Sequence, residues 1–244
     1  MQAGRREFLI ATAALGIGGA GGTAATLLAA PPRRLAIRKA ESADGSPAAA
    51  KTQEEEPNTP PEVLMLDHAV EDRLLLIYAD LADHLRARED DATPAWVRTA
   101  AGIVRSFVED YHQRLEEQHV FPLLESHVRL APLVKTLKAQ HDAGRLLTDK
   151  LLANPSPLSR RDLADVCTAY VRMARPHMAR EATDLFQVLY DILSVEKVEE
   201  LSDAFETKQE QLLGEGGFEK TLARIVAIET PFGLYDLEKF TPKG

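Results

Sequence analysis

The chain has 244 residues, of which 45% are apolar, 27% charged and 6% aromatic, and its formal charge is −9. Such a composition excludes fibrous and wholly disordered chains, and the length fits one large or two modest domains at roughly 100–200 residues each. The acidic balance argues against nucleic acid as a partner, and the single cysteine, Cys167, excludes an intramolecular disulfide framework or a Cys-rich zinc site.

The charge is unevenly spread. Residues 1–40 carry six bases (Arg5, Arg6, Arg33, Arg34, Arg38 and Lys39) against Glu7, a balance of +5, and the rest of the chain carries −14. Arg5 and Arg6 precede an uncharged run from Phe8 to Ala30, which is how an export signal is built. The Arg5-Arg6-x-Phe8-Leu9 order resembles the twin-arginine signal of bacterial export, a pathway that moves folded and often metal-loaded proteins. Residues 1–30 are therefore expected to be that signal, read by the twin-arginine export machinery, with the mature protein in the periplasm. The end of the run, Leu27-Leu28-Ala29-Ala30-Pro31-Pro32, has no clean small-x-small site, so an uncleaved anchor through residues 8–30, facing the periplasm, remains the alternative. Residues 31–61, with Glu54-Glu55-Glu56 and Pro57, Pro60 and Pro61, have little apolar surface to bury and are expected to be a disordered linker.

From Glu62 the apolar residues recur at intervals of three and four, and no alternating strand pattern occurs. The first helix is expected to end near Asp90. Thr93-Pro94, with Thr as cap and Pro at the first helical position, opens a second that reaches about Leu124. A third runs from about Ala131 to Leu152 and stops at Asn154-Pro155-Ser156-Pro157. Ser159 and Asp162 form a capping-box start for the fourth, which extends to about Leu193 with Pro176 expected to kink it. The expected fold is all-α, an antiparallel four-helix bundle over 62–193, with 194–244 a helical extension packed outside it. That extension comprises a helix from Ser194 to about Leu213 and a short one over Phe218–Glu229.

Each long helix carries an internal histidine: His68, His112, His141 and His177. Two of them are followed at i+4 by a carboxylate, giving His112-x3-Glu116 and His177-x3-Glu181, and such pairs share one helix face. The segment His112-x3-Glu116-x4-Phe121 recurs as His177-x3-Glu181-x4-Phe186, each copy following a helix with one lone histidine. Two hairpins, each giving a His and a His-Glu pair, would converge on one centre, as in bundle metal sites. A purely structural role would bury four imidazoles and two glutamates without partners, at roughly several kcal/mol each. With more than four N/O donors and no thiolate, iron is favoured over zinc, and manganese is the remaining alternative.

The stretch Tyr111-His112…Glu116-Glu117…Phe121-Pro122 resembles the His-x-x-x-Glu-Glu…Phe-Pro box of the hemerythrin-like, His-His-Glu cation-binding family. His177…Glu181…Phe186 resembles its second copy, with Gln187 where proline is usual, and Leu66-Asp67-His68 and Ala139-Gln140-His141 sit at the family's lone histidines. The resemblance implies a non-haem di-iron centre of two iron ions, held by His68, His112, Glu116, His141, His177 and Glu181, with the glutamates bridging. Oxygen-carrying hemerythrins have a further histidine one turn earlier on the third helix, where this chain has Leu137. Their second-copy carboxylate is an aspartate at i+5, where this chain has Glu181 at i+4. A set of four His and two Glu leaves more open coordination. The expected function is thus binding of dioxygen or a related small diatomic or peroxide ligand, with peroxidase, ferroxidase or oxygen-reducing turnover and a metal-stabilised sensory or structural module as alternatives. Glu117 and His119 are further candidates for the metal shell. His84 and His127 read as ordinary hydrogen-bonded residues, and Cys167 as a small buried apolar one.

Overall fold

The computed structural model describes residues 58–87, 92–153, 155 and 158–242. The expected signal at 1–30 and almost all of the linker at 31–61 lie outside them. Among the described residues there is no strand, and no helix is long and apolar enough to cross a membrane.

Helix α1 spans Pro60–Ala87, opening two residues earlier than the apolar periodicity alone predicts because Pro60 and Pro61 fall in its first turn, where a missing N–H costs nothing. Helix α2 runs over 93–124, and Thr93 is its first helical residue with Ala92 at the cap, one residue off the expected assignment. Helix α3 is Ala131–Leu152. Helix α4 runs over 160–192 from a complete Ser159–Asp162 capping box, in which Asp162 N–H donates to Ser159 Oγ and Ser159 N–H to Asp162 Oδ2. The backbone remains helical through Pro176. Helix α1 packs on α2 and α4, and α3 packs on the same two, so the four close into a ring. The connections between consecutive helices are only a few residues long, which makes neighbours antiparallel.

Leu64, Leu74, Leu75, Ile77, Tyr78, Phe107, Phe121 and Phe186 are fully buried in the shared core. Helix α5, Val195–Leu213, is capped by Ser194 and lies over the 104–112 stretch of α2, where Tyr111 Oη donates to Gln209 Oε1. Helix α6, Gly217–Phe232, is longer than expected at its C-terminal end and packs on α1 and α2. Arg73 of α1 grips the buried Glu229 of α6 through Nε and Nη2 at 2.9 and 2.5 Å, a bidentate pair that fixes the extension to the bundle.

Helices α2 and α4 contain widened turns that the periodicity does not announce. Backbone bonds reach back five residues in 104–112, in Glu116–Val120 and in Glu181–Leu185. The last two are the same turn in each copy of the repeat: Phe121 N–H donates to Glu116 O, and Phe186 N–H to Glu181 O. In a regular α-helix a residue at i+5 lies about 140° round from residue i. A turn closed at i+5 brings it back to nearly the same face. Each phenylalanine is thereby returned to the face of its glutamate.

Candidate metal centre

All six expected residues converge in the bundle interior. His68, His112, Glu116, His141, His177 and Glu181 are each less than a tenth exposed, and both glutamates are fully buried. Their ligating atoms form two overlapping groups. Glu116, His141, His177 and Glu181 make one and His68, His112 and Glu116 the other, with the atoms of each group within 4.8 Å of one another. Glu116 is common to both. Its Oε1 lies 3.6 Å from His112 Nε2 and its Oε2 lies 3.4 Å from His141 Nε2. Glu181 likewise reaches across, with Oε2 at 3.4 Å from His68 Nε2 and Oε1 at 3.0 Å from His177 Nε2 and 4.0 Å from His141 Nε2. The two glutamates thus lie between two pairs of imidazoles, one pair from each hairpin.

None of the four oxygens of Glu116 and Glu181 accepts a hydrogen bond of acceptable geometry, and neither does His68 use either ring nitrogen. Six titratable groups face one another with no lysine or arginine among them. Leaving such oxygens dry costs free energy that only a cation returns. Protons are one source. Burial works against a charged imidazole, yet the carboxylates outweigh it: Glu116 and Asp67 lift His112 to about 10, and Glu116 and Glu117 lift His141 to about 9. Burial likewise works against the Glu181 anion, but His177 and His68 hold its carboxyl well below the usual range. A divalent metal is a stronger source, since neutral imidazole and carboxylate are its natural donors. The donor set therefore fits bound metal.

Side chains behind the imidazoles orient them. His112 Nδ1 is 3.3 Å from Asp67 Oδ2, His141 Nδ1 is 3.0 Å from Glu117 Oε1, and His177 Nδ1 is 2.9 Å from Gln140 Oε1. An acceptor at Nδ1 places the proton there and leaves Nε2 free to face the centre. Glu117 is itself pinned by Arg145 Nη2 at 2.6 Å. Although burial opposes its charge, His141 and Arg145 draw its carboxyl down to about 2. Phe121 stacks on His141 with ring centres 5.4 Å apart, and Phe186 lies against His68 at 5.2 Å, so each lone histidine is covered by a phenylalanine. Leu137, one turn before His141, is buried in the core and offers no donor.

Glu117 serves the back of His141, and His119 turns toward Phe205 of α5 at 6.1 Å. His84 bonds at Nδ1 to Asp80 O, and His127 supports the turn between α2 and α3 through its carbonyl. Cys167 is buried and its thiol is pushed up to about 12 by that burial, as an inert core residue requires. Sequence reasoning assigned no role to Asp67 and Gln140, although each immediately precedes a lone histidine. It also passed over Glu71, a buried carboxyl on α1 one turn after His68 that burial raises above its ordinary range. The corresponding position of the second hairpin is Gly144, over which Tyr170 and Met173 close.

Comparison with known proteins agrees with this geometry. The model of the hemerythrin HHE cation binding domain matches residues 59–189. Uncharacterized proteins of Mycobacterium tuberculosis and Mycobacterium bovis are 40% identical to the chain over 196 residues, covering 78% of it and 76% of each relative. No solved structure gives a significant match.

Proposed function

The chain belongs to the hemerythrin HHE cation-binding family, and on that premise we propose that it is an exported non-haem di-iron protein that binds dioxygen or a related small ligand, nitric oxide or peroxide, at the His4Glu2 centre. The observation that carries the reading is the set of four buried, undonated oxygens of Glu116 and Glu181, shared between two pairs of imidazole nitrogens. When bound, iron supplies a Lewis-acidic and redox-active centre for the small ligand. The residues do the rest. His68, His112, His141 and His177 would offer neutral nitrogen donors and Glu116 and Glu181 carboxylate oxygens, while Asp67, Glu117 and Gln140 hold three of the rings with Nε2 turned inward. Phe121 and Phe186 exclude water from two sides. With Leu137 in place of a further histidine, each position draws fewer protein donors than six-coordinate iron takes, which leaves room for an external ligand. The same room favours a second reading, oxygen-reducing, peroxidase or ferroxidase turnover. Manganese is the alternative metal.

Anaerobic reduction of the iron-loaded protein followed by exposure to oxygen, nitric oxide or peroxide separates these readings. A new visible absorption that forms once per centre and reverses on degassing supports carriage. Continuous consumption of peroxide or Fe²⁺ supports turnover. A spectrum unmoved by all three ligands contradicts both. Export rests on Arg5-Arg6-x-Phe8-Leu9, so Arg5→Lys with Arg6→Lys is expected to retain the protein in the cytoplasm of a host with the twin-arginine route. An unchanged periplasmic or membrane fraction would overturn that part.

A further inference from the structure

The two hairpins repeat one plan, and the repeat extends beyond the ligands. His68 corresponds to His141, His112 to His177, Glu116 to Glu181 and Phe121 to Phe186, and the widened turn recurs in each copy. The contacts repeat with the residues. Asp67, just before the lone histidine of the first hairpin, accepts from His112, and Gln140, just before that of the second, accepts from His177. Phe121 of the first hairpin covers His141 of the second, and Phe186 of the second covers His68 of the first.

One hydrogen bond to a ring does not repeat. Glu117, next to Glu116, reaches across to His141 Nδ1 and is held there by Arg145. The matching residue next to Glu181 is Ala182, half-buried as Glu117 is, and it has no side chain to reach His68. His68 Nδ1 is accordingly buried without a hydrogen-bond partner among the described residues, and the buried Glu71 one turn further along does not supply one. Each position has one carboxylate hydrogen-bonded behind a ring, Asp67 behind His112 and Glu117 behind His141; the buried Glu71 near His68 and His112, where the second hairpin has Gly144, bonds to neither ring. What differs is the number of rings held. His141 and His177 are both fixed by hydrogen bonds at Nδ1. Of His68 and His112, only His112 is, and the His68 ring is placed by its packing against Phe186 and the edge of His112, with nothing bonded at Nδ1.

We propose that Ala182 makes the two metal positions unequal, so that the one held by His68 and His112 loads last and exchanges first. This rests on the metal-binding reading above. An imidazole with an acceptor behind it is pre-turned toward the metal and more basic at Nε2, and losing such a partner weakens metal affinity by about 10- to 100-fold. The exchangeable position is then the one next to Phe186.

The test is a titration of metal-free protein with cobalt(II), followed by its visible bands and by calorimetry, with no activity required. Wild type is expected to fill in two steps separated by about 10- to 100-fold. Ala182→Glu gives His68 the partner that His141 has, so the weaker step should tighten toward the stronger. Glu117→Ala should weaken the stronger step toward the weaker. Ala182→Gln supplies an uncharged acceptor, as Gln140 does, and should act in the same direction as Ala182→Glu if the larger charged side chain prevents folding. Two equal steps in wild type, or a weak step unmoved in a folded Ala182 variant, would overturn the inference while leaving the metal centre standing. No cobalt bound at all would overturn the metal centre itself, and the inference with it.

Discussion

Glu109 and Glu116 lie on the same helix about two turns apart, and both are fully buried, but their surroundings answer them differently. Thr148 donates to Glu109 Oε1 at 2.5 Å and Arg105 Nη1 lies 3.0 Å from its Oε2, while the same arginine continues outward to Asp149. Glu116 has neither hydroxyl nor guanidinium, only imidazole nitrogens at 3.4 Å and beyond. When this bundle buries a carboxylate for structure, it supplies a permanent cation and a donor. At the centre it supplies groups that are either protonated or metal ligands. A buried acid with its own arginine marks a brace, and a buried acid answered by histidines alone marks a binding site.

Replacing each acid separates the two regions most sharply. Glu116→Ala removes the one residue shared by both ligand groups and should take the protein from two bound ions to none, read by elemental analysis, while the metal-free fold melts no lower than the metal-free wild type. Retention of both ions would remove the bridge from the account. Glu109→Ala should do the reverse. It leaves Thr148 without its acceptor and Arg105 with Asp149 as its remaining carboxylate, and should cost about 1–3 kcal/mol in chemical denaturation, with metal content per folded chain unchanged.

Chelation acts on the site alone. A ligand present at a thousandfold over its dissociation constant stabilises the native state by about 4 kcal/mol. Stripping metal from wild type should therefore lower Tm by roughly 10 °C, and stripping Glu116→Ala should leave it where it was. An equal drop in both proteins would mean that the chelator acts elsewhere.

Protons compete for the same oxygens. His112 and His141 titrate near 10 and 9 in the metal-free fold, above the ordinary imidazole value of about 6.5. Groups raised in this way stabilise the metal-free protein fully below about pH 6.5, and that contribution is lost as the pH climbs through 9 and 10. Metal requires both rings deprotonated, so loading at pH 7 should release a proton from each and affinity should rise with pH. Calorimetry in two buffers of different ionisation enthalpy measures the release, and identical heats would contradict it. The smallest effect concerns the widened turns. Gln187 stands where the first copy has Pro122, yet the turn is present in both copies and the Gln187 side chain donates to Ala182 O. Pro122→Gln should therefore change stability by less than about 1 kcal/mol and leave metal content alone.

Much of the fold can be read directly from residue order. The apolar spacing places the four long helices, the Ser159–Asp162 box starts α4 where expected, and the recurrence of His-x3-Glu locates the centre. Local periodicity is blind to what depends on three-dimensional pairing. The widened turns alter hydrogen bonding without altering the apolar pattern, although the Glu-x4-Phe spacing in both copies is the signal that fits them. Asp67 and Gln140 become meaningful only when His112 and His177 are seen to face them from another helix. Glu71 falls on the apolar face of α1, three, four and seven residues before Leu74, Leu75 and Tyr78, so the spacing implies its burial but not its place beside the histidines. The cap at Ala92 differs from Thr93 by one residue because helix ends are set by backbone geometry that side-chain preference only biases.

If Glu116 and Glu181 hold metal as proposed, the purified protein carries it. Elemental analysis of protein purified without a polyhistidine tag, from cells grown with ample iron, tests it directly. Two ions per chain, predominantly iron, is the expected result, matching the two ligand groups. Folded protein that carries no transition metal and takes up none on anaerobic reconstitution would contradict it.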